Sequence, residues 1–248
     1  MKYVFGPVPS RRLGQSLGID PLPLKTCNWN CVYCQLGRSL PLTNQRREYF
    51  PRKEIITEVE RALKAHTAGH IDWITFVGAG EPTLHASIGL LIRQIKTLTD
   101  LPVAVITNGA LLYLPEVRAE LMAADAVLPT LDAGTPELYR KINRPHPDIT
   151  FERLVDGLQA FRREFKGKYW LEVMLLDGYT SLPPQIHQLT DWTRRIRPDK
   201  VQLNTAVRPP AEEFAVPVGR PPRERRVGAW TPGWEAGRLT IAVSSSHW

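Results

Sequence analysis

Ile74-Thr75-Phe76-Val77-Gly78-Ala79-Gly80-Glu81-Pro82-Thr83 decides the fold. An apolar run reads as a buried strand and stops abruptly in small and acidic residues. Glycines at a strand end let backbone carbonyls and amides approach a ligand closely. Glu81 adds an acceptor suited to an ammonium group. Alone, such a stretch is more often a tight turn than a binding loop. The same arrangement recurs along the chain. Ile106-Thr107-Asn108-Gly109 ends one apolar run, Leu131-Asp132-Ala133-Gly134 ends another, and Gln202 and Asn204 lie on the last. Strands are expected at Leu17 to Asp20, Asp72 to Val77, Pro102 to Thr107, Ala126 to Leu131, Tyr169 to Leu176 and Lys200 to Thr205. Amphipathic helices are expected between them, at Pro51 to Ala65, Ala86 to Leu98, Pro115 to Ala124, Phe151 to Phe165 with Thr150 as N-cap, and Pro184 to Ile196. Six strands alternating with helices imply parallel βαβ units. Polar motifs that all follow strand ends imply an α/β barrel with its site on one face. Six units predict a partial (β/α)6 TIM-like barrel, open on one side.

The chain has 248 residues, of which 43% are hydrophobic, enough for a core. No run approaches a membrane span. The start, Met1-Lys2-Tyr3-Val4-Phe5-Gly6-Pro7, lacks the apolar stretch of a signal peptide, so a cytoplasmic setting is expected. Residues 1–216 are read as the barrel and 217–248 as an irregular basic tail. There Arg220, Arg223, Arg225 and Arg226 crowd a proline-rich segment, and Arg238 to Ser244 is at most one short strand. That composition cannot easily bury a core face. The expectation is a reading frame shifted near Pro217, with a native arm gripping nucleic acid as the alternative. The net charge of +7 is discounted as a sign of RNA binding because it is unevenly placed, with four arginines crowded into this tail.

Chemistry enters at Cys27-Asn28-Trp29-Asn30-Cys31-Val32-Tyr33-Cys34, which holds all three cysteines of the chain. Three thiolates so close together can bind three irons of a [4Fe-4S] cubane and leave the fourth iron open to an exogenous ligand. Structural zinc is the competing reading. It would need a histidine, and the nearest after the loop is His66, without zinc-finger spacing. A disulfide would strand one cysteine.

The C-x3-C-x2-C spacing, the aromatic Tyr33 before the third cysteine and the Gly80-Glu81-Pro82 stretch one βα unit later resemble the radical S-adenosylmethionine (SAM) superfamily. Ala79 departs from that family's glycine-glycine-glutamate-proline pattern at one position. Further stretches resemble a bacterial subgroup akin to the wybutosine-synthase branch and, more distantly, to nitrogenase-cofactor maturases. They are Gly6-Pro7-Val8-Pro9-Ser10-Arg11-Arg12-Leu13-Gly14, Asn143-Arg144-Pro145 and Arg208-Pro209-Pro210-Ala211-Glu212-Glu213. The chain lacks the extra cysteines of a second cluster. The resemblance implies an enzyme whose cluster sits on Cys27, Cys31 and Cys34. It implies SAM against Tyr33, Ala79, Gly80, Glu81, Pro82, Asn108, Asp132 and Asn204. Reductive cleavage of SAM would give methionine and a 5′-deoxyadenosyl radical that takes hydrogen from a substrate. A low-potential electron donor of flavodoxin or ferredoxin type is the implied partner.

Asn28 and Asn30 are candidate donors to cluster sulfurs, and Lys25 is a charge near the cluster or a solvated loop lysine. Arg11, Arg12 and Arg144 are candidates for a substrate carboxylate or phosphate, since guanidinium reads both bidentately, with internal salt bridges as the alternative. His85 and His146 are read as structural. Two other functions stay open. One is an Fe-S electron-transfer module without SAM chemistry, which would have no use for Gly80-Glu81-Pro82. The other is a radical SAM enzyme that modifies RNA, which needs a basic face within residues 1–216.

Overall fold

The computed structural model describes residues 1–67, 69–219 and 242–243. One sheet carries strands β1 to β8 in chain order. β1 (Val4–Ser10) pairs antiparallel with β2 (Gly14–Ile19). β2 then begins a parallel run through β3 (Trp73–Phe76), β4 (Val103–Thr107), β5 (Ala126–Pro129), β6 (Lys168–Leu175) and β7 (Lys200–Thr205). Between them lie α1 (Arg52–Ala65), α2 (Ile88–Leu98), α3 (Pro115–Leu121), α4 (Pro136–Ile142), α5 (Phe151–Glu164) and α6 (Pro183–Ile196). β8 (Ala242–Val243) adds two parallel residues beyond β7, inside the range expected for a short strand. The sheet curls into a half-barrel and leaves one side open, as expected. The other tail residues, 220–241 and 244–248, lie outside the described residues, and with them most of the tail expectation.

Side chains alternate along each strand. Ile74, Phe76, Val103, Val105, Val127, Leu171, Val173 and Val201 belong to the main buried cluster with the apolar faces of the helices. Residues of the opposite parity, Ala104, Ala126 and Leu128, form a small separate cluster on the other face with Leu13. Leu13 comes from the tip of the β1–β2 hairpin, so that tip plugs the barrel at the N-terminal ends of its strands. The helix signals behave as read: Thr150 caps α5 by accepting from the Arg153 amide at 3.2 Å.

β1 is the element the sequence reading missed, making the strands more numerous than the expected six. Pro7 and Pro9 within it argue against a strand, but a sheet edge tolerates residues that cannot donate to the ladder. The pairing with β2 also slips between Phe5 and Val8.

Candidate metal centre and cofactor site

β2 and β3 run side by side, so their ends deliver the two motifs together. Beyond β2, Asp20 accepts from the Ala79 amide at 2.9 Å and the Leu22 amide at 3.3 Å. A Cβ at Gly78 would stand 2.3 Å from the Asp20 carboxyl carbon, so only glycine admits this contact. Desolvation raises the Asp20 pKa above its usual range although the two amides oppose it. The chain then docks backbone to backbone on the Gly-Ala-Gly segment. The Lys25 amide donates to the Ala79 carbonyl at 2.6 Å, and the Glu81 amide donates to the Thr26 carbonyl at 3.0 Å. Thr26 and Gly80 thereby form a parallel bridge. A Cβ at Gly80 would lie 1.9 Å from the Thr26 oxygen, closer than any packing allows. The small residues after β3 therefore seat the cysteine loop.

Within that loop Cys27, Cys31 and Cys34 are half-buried. The Trp29 amide donates to Cys27 Sγ at 3.4 Å, and the Cys34 amide donates to the Cys31 carbonyl at 3.1 Å. The far side of the loop rests on the turn after α4. The Asn30 amide donates to the Asn143 carbonyl at 3.0 Å and the Val32 amide to the Ile142 carbonyl at 2.9 Å. Trp29 is buried edge-on against Tyr139, with ring centroids 5.3 Å apart. Asn28 is also buried, and its side chain accepts from Asn108 Nδ2 at 2.7 Å and donates to Asn44 at 3.3 Å. Asn30 accepts from the Ser39 amide at 3.0 Å. The side-chain amides that face sulfur come instead from strand ends and turns across the barrel: Asn108 Nδ2 at 3.8 Å from Cys27 Sγ and Asn143 Nδ2 at 3.7 Å from Cys31 Sγ. Burial pushes the Cys27 thiol up to about 12, with the charge of Glu81 adding to it. Burial likewise raises Cys31, helped by Cys27 and Asp132.

Glu81 is fully buried. Its Oε1 accepts from the Thr83 amide at 3.0 Å, the Thr83 hydroxyl at 2.6 Å and the Thr107 hydroxyl at 2.6 Å. Its Oε2 accepts from the Asn108 amide at 2.6 Å. Desolvation still raises its pKa, against these donors. Asn108 thus touches Glu81 through its backbone and Cys27 through its side chain. Gly109, with φ at +77°, permits the turn that allows both, and the Ala110 amide closes it onto Asn108 Oδ1 at 2.9 Å.

Asp132, after β5, is buried and accepts from the Tyr33 hydroxyl, from Asn143 Nδ2 at 2.7 Å and from the Met174 amide at 2.7 Å. Burial lifts it to about 6 despite these donors. α4 is capped by Thr135, which accepts from the Leu138 amide at 3.3 Å. Asn204 lies on β7 opposite Met174, and Gln202 opposite Glu172.

The candidate arginines fall in two places. Arg12 reaches from the hairpin tip into an ion pair with Glu172 of β6, and burial lowers its pKa. Arg144 pairs with Glu212, which Arg38 also grips at 2.9 and 3.1 Å. Arg11 is exposed at the tip. The Glu212 amide donates to the Val32 carbonyl at 3.0 Å, so the segment after β7 covers the cysteine loop. Asp20, Thr83, Thr107 and Glu172 were not singled out from sequence. Lone hydroxyls and carboxylates near strand ends carry no pattern. Asn143 was legible only as part of a motif. His85 is structural: its Nδ1 accepts from the Ser87 amide at 3.2 Å, and its Nε2 lies 3.1 Å from the Phe50 carbonyl.

Residues 22–183 match the Radical SAM superfamily. The chain belongs to that superfamily. It is 37% identical over 217 residues to the UPF0026 protein MJ1312 of Methanocaldococcus jannaschii, covering 88% of this chain and 67% of that protein. It is 47% identical over 214 residues to a protein of Brachyspira hyodysenteriae named GTPase Obg, covering 86% of this chain but only 31% of that protein. Among solved structures, Streptococcus suis SuiB bound to S-adenosylmethionine superposes with a TM-score of 0.65 over 93% of this chain and 51% of that one, at 17% identity. At that identity the likeness shows the fold. The chain is therefore a radical SAM enzyme by family, with a half-barrel of the superfamily's kind. Among the described residues no helix is long and apolar enough to cross a membrane.

Proposed function

We propose that Cys27, Cys31 and Cys34 hold a [4Fe-4S] cluster and that the enzyme cleaves SAM reductively to start radical chemistry on a substrate. The donor set fits the group. Among the described residues no three His, Cys, Asp or Glu side chains converge on one ion. A cubane does not ask for convergence, because each thiolate binds a different iron. Metal binding would also offset the high thiol pKa values, since the ligand is the thiolate.

The observation that carries the reading is the link through Asn108. One residue ties the carboxylate of Glu81 to the sulfur of Cys27. A ligand that uses its amino acid end to complete an iron needs an ammonium acceptor beside the cluster, and an electron carrier does not. Glu81 Oε2 takes a single amide hydrogen bond from the chain, and its remaining lone pair is assigned to the SAM ammonium. The carbonyl of Gly80, which the bridge to Thr26 does not use, is assigned beside it, with Ala79 and Pro82 shaping the turn. Asn108 orients both groups. Tyr33, Asp132 and Asn204 are assigned to the ribose and adenine side, where Asp132 and Asn143 also fix Tyr33. When bound, the cluster supplies the electron that splits SAM into methionine and a 5′-deoxyadenosyl radical. The low-potential donor that reloads it is of flavodoxin or ferredoxin type.

The test is anaerobic. The full chain should be brown with ~4 iron atoms, the content of one cubane, and should release 5′-deoxyadenosine from SAM once reduced. An iron-replete, reduced protein that yields none, with or without cell extract, would make it an electron carrier.

A further inference from the structure

At the end of the half-barrel away from the cysteine loop, a cleft of about 1200 Å³ opens between the C-terminal ends of α5 and α6. Arg163, Lys166, Lys168 and Arg195 line it and are exposed. No carboxylate among the described residues pairs with any of these four. The two acids of the cleft are already engaged. Asp125 binds Lys96 at 2.6 and 2.7 Å, and Asp199 binds Arg162 at 2.8 Å. Cations at helix C-termini have an ordinary explanation, the macrodipole. Two helix ends supply only about one negative charge together. Four uncompensated cations exceed that.

The cleft continues along α5. Gln159 and Arg163 also line an adjoining hollow of about 250 Å³ that ends at Tyr113. Trp73 stands at the other end, with Lys168 Nζ 5.1 Å from its ring. Arg118, already paired with Glu164, and the exposed Asp156 line the smaller hollow too. The positive charge of the track is therefore concentrated in the larger cleft, with an aromatic ring at each end. Gln159 Nε2 is tied to the Val155 carbonyl at 3.3 Å, which leaves its Oε1 as an acceptor.

We propose that this track binds single-stranded RNA. Cations along the groove follow the phosphates, Trp73 with Lys168 at 5.1 Å and Tyr113 with Arg153 at 5.2 Å offer paired ring-and-cation platforms for bases, and Gln159 Oε1 suits a ribose 2′-hydroxyl. An acidic electron-donor protein is the poorer fit. It must approach the cysteine loop, and β6 alone holds that loop's end of the barrel about 26 Å away at ~3.3 Å per residue. RNA gripped here is anchored remotely from the chemistry, so the groove contributes affinity and not reactivity.

The experiment measures fluorescence anisotropy of a labelled single-stranded RNA of mixed sequence on the full chain across a salt series. DNA of the same sequence and polyglutamate serve as competitors. The R163E/K166E/R195E variant should bind at least tenfold more weakly. The slope of log affinity against log salt should flatten by about two, at ~0.7 per lost phosphate contact. Its melting temperature and iron content should match the parent, which separates this result from failure of the cluster reading. Parent-like RNA binding by the variant overturns the proposal. So does a loss seen only when Arg220, Arg223, Arg225 and Arg226 are changed to serine. Equal competition by polyglutamate overturns it in favour of an acidic protein, and equal competition by DNA overturns the choice of RNA.

Discussion

The two ends of the half-barrel are built in opposite ways. At the C-terminal ends of the strands, contacts run through backbone and short buried side chains: Thr26 on Gly80, Glu81 on Thr107 and Asn108, Asp132 on Tyr33 and Asn143. At the N-terminal ends, long cations line an open cleft. Short buried groups hold positions to fractions of an ångström, which a metal centre with one open coordination position needs. Long exposed groups hold charge without fixing geometry, which suits a flexible polyanion. One fold thus separates precision from attraction, and single substitutions should report which end they touch.

Cysteine substitutions give the largest expected effect. Cys27→Ala, Cys31→Ala or Cys34→Ala should each abolish the brown chromophore and most bound iron after anaerobic reconstitution, while circular dichroism keeps the fold. Retention of stoichiometric iron in any of the three would break the assignment of the loop. Next is Gly80→Val, which drives side-chain atoms into the Thr26 carbonyl. Overpacking of this kind costs about 3 kcal/mol. For a domain of this size the melting temperature should fall by roughly 6–12 °C, with iron content falling in parallel. A variant that melts normally and loads iron would show that the loop does not depend on its seat.

The hairpin plug sits between the extremes. Arg12→Ala leaves Glu172 charged and nearly buried, a loss of roughly 3 kcal/mol. The R12A/E172Q double variant should recover part of that loss in denaturant melts. If it recovers nothing, Arg12 acts elsewhere, and its reading as a substrate contact gains ground. Smallest is R163E/K166E/R195E on stability, where exposed sites each change stability by no more than ~0.5 kcal/mol. A large loss of stability there would break the contrast between the two ends.

Much of this was readable in the sequence. The apolar runs, their spacing and the cysteine loop carry strong local signals, and the six parallel strands lie close to where periodicity puts them. Glu81 and Asn108 were legible because they follow strand ends within motifs. What stayed hidden depends on contacts distant in sequence. Asp20 is meaningful only beside Gly78, 58 positions later. Glu172 matters only because a hairpin 160 positions earlier turns Arg12 under the barrel. The cationic cleft gathers Lys166 and Arg195 from separate helix ends, so composition showed only a net charge, and the tail arginines drew attention away from the fold. Conversely, β1 was hidden by local signals that pointed the wrong way.

That strand has a consequence of its own. An open half-barrel exposes a sheet margin, and an unpaired strand is a template on which other chains can add and polymerise. β1 occupies one such margin, and Pro7 and Pro9 remove two N–H groups from its row. The irregular step between Phe5 and Val8 spoils the register a newcomer would need. The same prolines that disguise the strand from a reader of sequence also disguise it from neighbouring molecules.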